Sequence, residues 1–407
     1  MLDNLTAFDS PTAFAVATNS TTATLNSRKE FLDSLGVLNK IGLKQDGISI
    51  GPQGPIIGGM PISRINDTLA DAGLGELTLS PTSTFRRKLG SEYARLGEAG
   101  VNLINPAPIP SFLGDKAIQF WELDAEPIPV PPWQPLDYYV GPDGSLDLRS
   151  LEADFIPDAP LVLKGRNSTQ GREIWFYPGG IEDVTSDWTA GRGPSVFRER
   201  PGNFLLQYAI PHRYDARIIT AGDTPVSGED RYGSPDTDKC NLSVVETGAS
   251  SALKTARTLL SMGAVDPIDM DELDPAIETA VEDLHATLED RVADSNGPLH
   301  TWIGWDFLVI DPEDPRLSVV PEDVLEGLFH ERYRTERNTY LVFGEGNQSP
   351  GSKERYVNAV SFGREGLRWD SAANLLTYGE CISRGEPFEP GIPELIDPDA
   401  LKEQYEL

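Results

Sequence analysis

The sequence predicts an α+β protein: a mixed α/β body with several strands and one long helix, an extended N-terminal arm and a Pro-rich strap. Three observations predict it. Runs of β-branched and aromatic residues recur through the C-terminal part of the chain. The stretch from Pro275 to Asp294 repeats apolar residues at helical spacing. A cluster of prolines at 127, 129, 131, 132, 135 and 142 breaks the chain before those elements begin. Composition allows a packed core: 39% of residues are hydrophobic and 38 more are glycine, which is ordinary for a globular protein. At 407 residues, two or three domains are expected.

Residues 1–26 form the arm. It is rich in Thr, Ala, Ser and Asn, has no helical period and carries no charge between Asp9 and Arg28. It cannot bury enough surface to fold alone. It reads either as a tail or as an extended arm ordered against a neighbouring subunit, with Phe14 as its interface residue.

Residues 27–124 read as a small α/β region. Ser27 can cap a helix to about Lys40. GISIGPQGPIIGGMPIS reads as a loop with a short strand, followed by a short helix from Asn66 to Ala72. Thr84 to Leu96 repeats Phe85, Leu89, Tyr93 and Leu96 on one helical face, and IQFWEL (118–123) reads as a strand.

Residues 125–150 are the strap or linker. Prolines at this density favour an extended backbone with few donors, so side chains must anchor it. Trp133, Tyr138 and Tyr139 are the available anchors and the candidate interface residues.

Residues 151–407 are expected to form the main α+β domain. PLVLK, EIWFYP, NFLLQYAI, ARIIT, IGWDFLVI, TYLVFG and YVNAVSF read as strands. Helices are expected at Ser250–Met262, Pro275–Asp294, Pro321–Arg334 and in a last short segment opened by Asp397. The long one has Asp274 as N-cap, Pro275 at its first position, and Ile277, Val281, Leu284, Leu288 and Val292 as its stripe.

No chemistry stands out from these elements. The four histidines, His212, His285, His300 and His330, have no metal-ligand spacing. DPIDMDELDP (266–275) is acidic but lacks the glycine of a calcium loop. GEDRYGSPDTDK (228–239) reads as a polar hairpin tip. Prolines in GPQGPIIGG (51–59) spoil a phosphate nest, and neither a Walker loop nor G-x-S-x-G occurs. RRK at 86–88 is too small a basic cluster for a nucleic-acid surface. No catalytic, cofactor-binding or metal residue is therefore expected, and no cofactor. The N-terminus lacks a signal-peptide pattern, no run is long enough to cross a membrane, and Cys240 and Cys381 imply no disulfide framework.

Charge is the strongest compositional feature. The chain holds 64 Asp+Glu against 34 Lys+Arg, a net charge of −30, and its bases are 10 Lys and 24 Arg. Residues 1–150 hold 17 acidic and 11 basic residues, and the remainder 47 and 23, so the acid belongs mostly to the C-terminal part. Dispersed acid with scarce lysine suits molar salt, where the screening length is about 3 Å. The melting midpoint is expected to fall as KCl is lowered from molar to millimolar; a constant midpoint would contradict this reading.

In this composition the chain resembles structural proteins of haloarchaeal tailed viruses. The order of arm, α/β body, long helix and late strands is similar to an HK97-type shell protein. That resemblance implies a non-enzymatic head-shell protein, or a tail, baseplate or portal-region component. It further implies partners that are copies of itself and other virion proteins, with no specific nucleic acid and no membrane, and assembly in a host cytoplasm at high salt. Two other classes stay open: a halophilic enzyme such as a hydrolase, and a surface binding module.

Overall fold

The computed structural model describes residues 14–17, 48–51, 54–57, 60–71, 73–81, 92–123, 128–167, 174–191, 196–231, 265–268, 270–292, 299–348 and 367–390. The helices expected at 27–40, 250–262 and from Asp397, the strand at 356–362, and most of the arm lie outside them. The mixed α+β class is what forms.

The N-terminal part contains β1 (Phe14–Ala17), β2 (Ile48–Gly51), β3 (Gly54–Ile57), β4 (Met60–Pro61), α1 (Ile62–Asp71), β5 (Thr78–Pro81), α2 (Glu92–Glu98), β6 (Asn102–Leu103), α3 (Pro108–Leu113) and α4 (Lys116–Leu123). Strands β1, β5 and β6 make a parallel sheet in the order β1-β5-β6. The Gly/Pro-dense segment forms the antiparallel ladder β2-β3-β4, more strand than the one expected. Helix α1 begins before Asn66, because Ile62, Ile65 and Leu69 share one buried face.

IQFWEL is helical, not a strand. Ala117, Phe120 and Leu123 are buried at three-residue spacing, while Trp121 is 72% exposed. Four apolar residues in six, two of them aromatic, mimicked a strand, but burial follows the helical period.

The strap is part of the folded body. β7 (Trp133–Pro135) pairs antiparallel with β10 (Phe204–Tyr208) at the edge of a four-stranded sheet ordered β7-β10-β8-β9. An edge is where a proline-bearing strand is tolerated. The chain runs from β7 through α5 (Leu148–Asp154), β8 (Leu161–Gly165), β9 (Ile174–Tyr177), α6 (Gly180–Ala190) and α7 (Val196–Glu199) to β10. Glycine at 180, with φ +62°, meets the Pro157 carbonyl oxygen, where a Cβ would sit 2.1 Å away, so only glycine opens α6 there.

The C-terminal part is built on a five-stranded antiparallel sheet ordered β13-β12-β11-β14-β15. Its strands are β11 (Tyr214–Ala221), β12 (Thr224–Arg231), β13 (Val265–Ile268), β14 (Trp302–Ile310) and β15 (Tyr340–Asn347). The supposed hairpin tip at 228–239 begins inside this sheet: Gly228 to Arg231 belong to β12, and Glu229 is 6% exposed. Helix α8 (Pro275–Val292) buries Ile277, Val281, Leu284 and Leu288 against Ala216, Ile218, Trp305 and Phe307 of the sheet. Its apolar stripe covers a sheet of this chain. Helix α9 (Glu322–Leu328) is shorter than the one expected to Arg334, and α10 (Leu367–Arg384) was not foreseen.

Asp274 caps α8 as expected. Its Oδ1 accepts from Ala276 N at 3.0 Å and its Oδ2 from Glu336 N at 2.9 Å. Asp274→Ala is expected to cost about 1–2 kcal/mol, read from denaturant unfolding.

Candidate functional site

Charged residues inside sheet strands are costly unless paired, and here they line up. In the strand register Glu229 of β12 faces Arg217 of β11, Arg217 faces Asp306 of β14, and Asp306 faces Glu345 of β15. Directly paired residues share a sheet face, so these four form one row across four strands. Arg231 and Asn347, each two residues further along its strand, lie on the same face. The opposite face carries Ala216, Ile218, Trp305 and Phe307, which join the core beneath α8. On the charged face, Leu308, Ile310 and Val342 pack into the core shared with the four-stranded sheet. The row therefore shares its sheet face with part of that core, a few residues along β14 and β15.

The row is closely connected. Arg217 makes a bidentate pair with Asp306 through Nε and Nη2. Arg231 Nε donates to Glu229 Oε1 at 2.6 Å, and its Nη1 is 3.7 Å from Asp306 Oδ1. Arg231 Nη2 is buried without a hydrogen-bond partner. Asn347 Nδ2 donates to Asp306 Oδ2 at 3.0 Å and to Glu345 Oε1 at 3.2 Å. Lys116, at the start of α4, places its Nζ 3.1 Å from Glu345 Oε2.

Local structure holds these groups in place. The ladder between β14 and β15 shifts register beside Asp306, and a Cβ on Gly344 would meet the Asp306 carbonyl oxygen at 2.9 Å. Gln119 of α4 donates to Gly346 O at 3.2 Å and accepts from Gly346 N at 2.7 Å, which clamps the helix to β15. Lys116 N donates to Arg166 O at 3.0 Å, and Arg166 holds Asp115 through Nε and Nη2 at 3.0 and 2.7 Å.

Burial shapes the ionisation of the row. It raises the Asp306 carboxyl above its ordinary range, against the pull of Arg217 and Arg231. Burial also acts to raise Glu345, but Lys116 and Arg217 outweigh it and hold that carboxyl at about 2. Asp283, outside the row, is likewise buried in part, yet hydrogen bonds from Arg332 and Tyr333 keep it low. For a depressed carboxyl the stabilisation is present above the unfolded pKa, about 4, and is lost as pH falls through the folded value. The unfolding free energy is therefore expected to drop between about pH 4 and pH 2, and Glu345→Gln is expected to flatten that fall.

The donor set suits a hard divalent cation. Two carboxylates and a side-chain amide converge, a set that magnesium uses together with substrate oxygens and water. Among the described residues, no three His, Cys, Asp or Glu side chains are grouped to hold a metal by themselves. With three cations (Lys116, Arg217, Arg231) against three carboxylates (Glu229, Asp306, Glu345), the cluster is close to neutral. A bound dication would leave it positive and complementary to an anionic ligand.

None of the candidate interface residues and none of the four histidines singled out from the sequence belongs to this row. Phe14 lies in β1 opposite Thr78. Trp133 is half-buried with its ring 5.7 Å from Phe120. Tyr139 is fully buried and donates to Asp154 Oδ2 at 2.8 Å, while Tyr138 is 67% exposed. His212 is fully buried, with Nδ1 2.8 Å from Ile210 O and Nε2 3.0 Å from Asp215 Oδ1. A signal for the row did exist: Arg217 interrupts ARIIT, Asp306 interrupts WIGWDFLVI, and Glu345 and Asn347 follow TYLVFG.

No family model matches this chain, and no curated protein sequence matches it either. Solved structures do match in shape. D-alanine–D-alanine ligase from Bacillus anthracis aligns with a TM-score of 0.48 at 11% identity, covering 92% of this chain and 100% of that one. D-cycloserine synthetase DcsG aligns at 0.48 and 11%, covering 91% and 99%. The ATP-grasp ligase PsnB, solved with minimal precursor, Mg and ADP, aligns at 0.47 and 14%, covering 90% and 97%. TM-scores below 0.5 establish neither a shared family nor a shared activity.

The matched structures nonetheless correct the sequence expectation. They are enzymes, and none of them is a virion protein. The HK97-type shell, the head or tail role, the non-enzymatic assignment and the virion location read from the sequence find no support among these matches, which are named as ligases and synthetases. The enzyme alternative stands closer, although as a hydrolase it named a different reaction. Among the described residues, no helix is long and apolar enough to cross a membrane.

Proposed function

We propose that this protein is an enzyme that binds a divalent cation with a nucleoside triphosphate and transfers a phosphoryl group, in the manner of an ATP-dependent ligase. The observation that carries this reading is the buried row Glu229–Arg217–Asp306–Glu345 with Lys116, Arg231 and Asn347 around it. An assembly protein gains little from such a cluster, because burying ion pairs seldom adds stability over apolar packing. A phosphoryl-transfer site needs this mixture: oxygen ligands for magnesium beside fixed cations for the phosphate oxygens.

Each residue has a role in that chemistry. Asp306, Glu345 and the Asn347 amide would hold magnesium, which supplies charge neutralisation at the transferred group. Arg217 is held by Asp306 and presents a planar, permanently charged donor. Arg231, with Nη2 unpaired, offers a donor to an incoming oxygen. Glu229 fixes the Arg231 guanidinium and limits its motion. Lys116 supplies a positive charge at the edge of the row.

The test is calorimetric titration of the full chain with ATP, in magnesium and in EDTA, at constant ionic strength. ATP and magnesium are chosen because the compared ligases are named with ATP, ADP and Mg. Saturable, magnesium-dependent binding that is lost in Glu345→Gln supports the proposal. Binding that ignores magnesium, or no binding at all, overturns it.

A further inference from the structure

We propose that Gln119 is a positioning residue for the cation site: by bonding both peptide groups of Gly346, it fixes Glu345 and Asn347 relative to each other. The inference rests on the cation site proposed above and concerns what holds two of its ligands in place.

The two ligands stand on either side of a glycine. Glycine is required there, because a Cβ at 346 would lie 2.7 Å from the Leu113 side chain and 2.8 Å from the Trp305 ring. Glycine is also the residue with the widest choice of φ and ψ. Strand β15 is moreover the outer strand of its sheet, so one side of its backbone has no strand to pair with. Left to themselves, an outer strand and a central glycine would hold Glu345 and Asn347 loosely.

Side chains and loop backbone take the place of the missing strand. Phe343 N donates to Pro129 O at 2.9 Å. Gly346 N donates to Gln119 Oε1 at 2.7 Å, and Gly346 O accepts from Gln119 Nε2 at 3.2 Å. Gln348 O accepts from Asn105 Nδ2 at 3.0 Å. The Gly346 nitrogen belongs to the peptide that leaves Glu345, and its oxygen to the peptide that enters Asn347. One side-chain amide therefore fixes both torsions between the two ligands. The amide is itself held: Gln119 is 1% exposed, and its Nε2 also donates to Leu113 O at 3.1 Å. Turning it over would set its oxygen against two carbonyls, so one orientation is favoured. Gln119 does not reach the cation; it acts through the backbone that carries the ligands.

The experiment compares wild type, Gln119→Met and Leu288→Ala as full-length chains. Mn²⁺ alone is titrated and followed by the EPR signal of free Mn²⁺, with Glu345→Gln as the blank for surface carboxylates. Denaturant unfolding is measured on the same samples. Gln119→Met fills the same space without either bond, and is expected to weaken Mn²⁺ binding by about tenfold or more. Leu288→Ala removes a fully buried side chain beneath α8, so it is expected to lose stability with Mn²⁺ affinity unchanged. Should Gln119→Met fail to fold, Gln119→Asn replaces it; its amide is one carbon too short to make both bonds, and the same loss is expected. Mn²⁺ affinity within about twofold of wild type in the Gln119 variant overturns the positioning role and leaves the cation site intact. Equal weakening in Leu288→Ala overturns that role too, because the affinity then follows stability alone. Absence of Glu345-dependent Mn²⁺ binding in wild type overturns the site itself, and the positioning role with it.

Discussion

Asp306→Ala is expected to destabilise the protein by about 3–5 kcal/mol, because it leaves a buried charge without its partner. Asp306 receives the bidentate Arg217 pair, lies 3.7 Å from Arg231 and accepts from Asn347. Both guanidiniums are largely buried, with side chains 11% and 19% exposed, so the loss of Asp306 leaves charge in a desolvated place. Denaturant unfolding measures the loss, and a shift below about 1 kcal/mol would mean that the row is solvated rather than buried. The double replacement Asp306→Leu with Arg217→Met removes both charges and is expected to recover most of the stability. Under the proposed function it is not expected to recover ATP binding, which would separate the pair's part in the fold from its proposed part in the chemistry.

Phe120→Ala is expected to cost about 3–5 kcal/mol, a large buried aromatic being lost at a junction of three elements. Phe120 is fully buried; its ring lies 5.7 Å from Trp133 of β7 and 6.2 Å from Phe343 of β15. It therefore joins the strap and the five-stranded sheet to the helix that carries Lys116. Trp133 emission is expected to shift to the red in the variant. The neighbouring Trp121, 72% exposed, serves as the contrast: Trp121→Ala is expected to stay within about 0.5 kcal/mol of wild type. Equal effects at the two positions would contradict the burial of Phe120 and the exposure of Trp121.

The sequence misled most where a short pattern fits two periods. IQFWEL is aromatic and apolar enough for a strand, yet its burial follows Ala117, Phe120 and Leu123 at helical spacing. GEDRYGSPDTDK is polar enough for a loop, yet its first residues belong to β12, where Glu229 is paid for by Arg231. In both cases tertiary contacts, rather than local propensity, chose the state. The virion expectation failed for a different reason. Acid-rich surface composition reports the solvent a protein meets and carries no information on what its interior does.

What the sequence determined by itself was the set of long, strongly patterned elements. β8, β9, β10, β11, β14 and β15 were legible from β-branched and aromatic runs, and α8 from its stripe and its Asp274–Pro275 start. These signals are local, so reading them needs no knowledge of partners in space. Only the tertiary structure decided the site. Lys116, Arg217, Glu229, Arg231, Asp306, Glu345 and Asn347 come from one helix and four strands, and their common face exists only once the antiparallel register is set. A charge within an apolar run shows from the sequence that a partner is required. Which residue answers it is a matter of strand pairing across as much as 229 positions, from Lys116 to Glu345, and no local pattern encodes that.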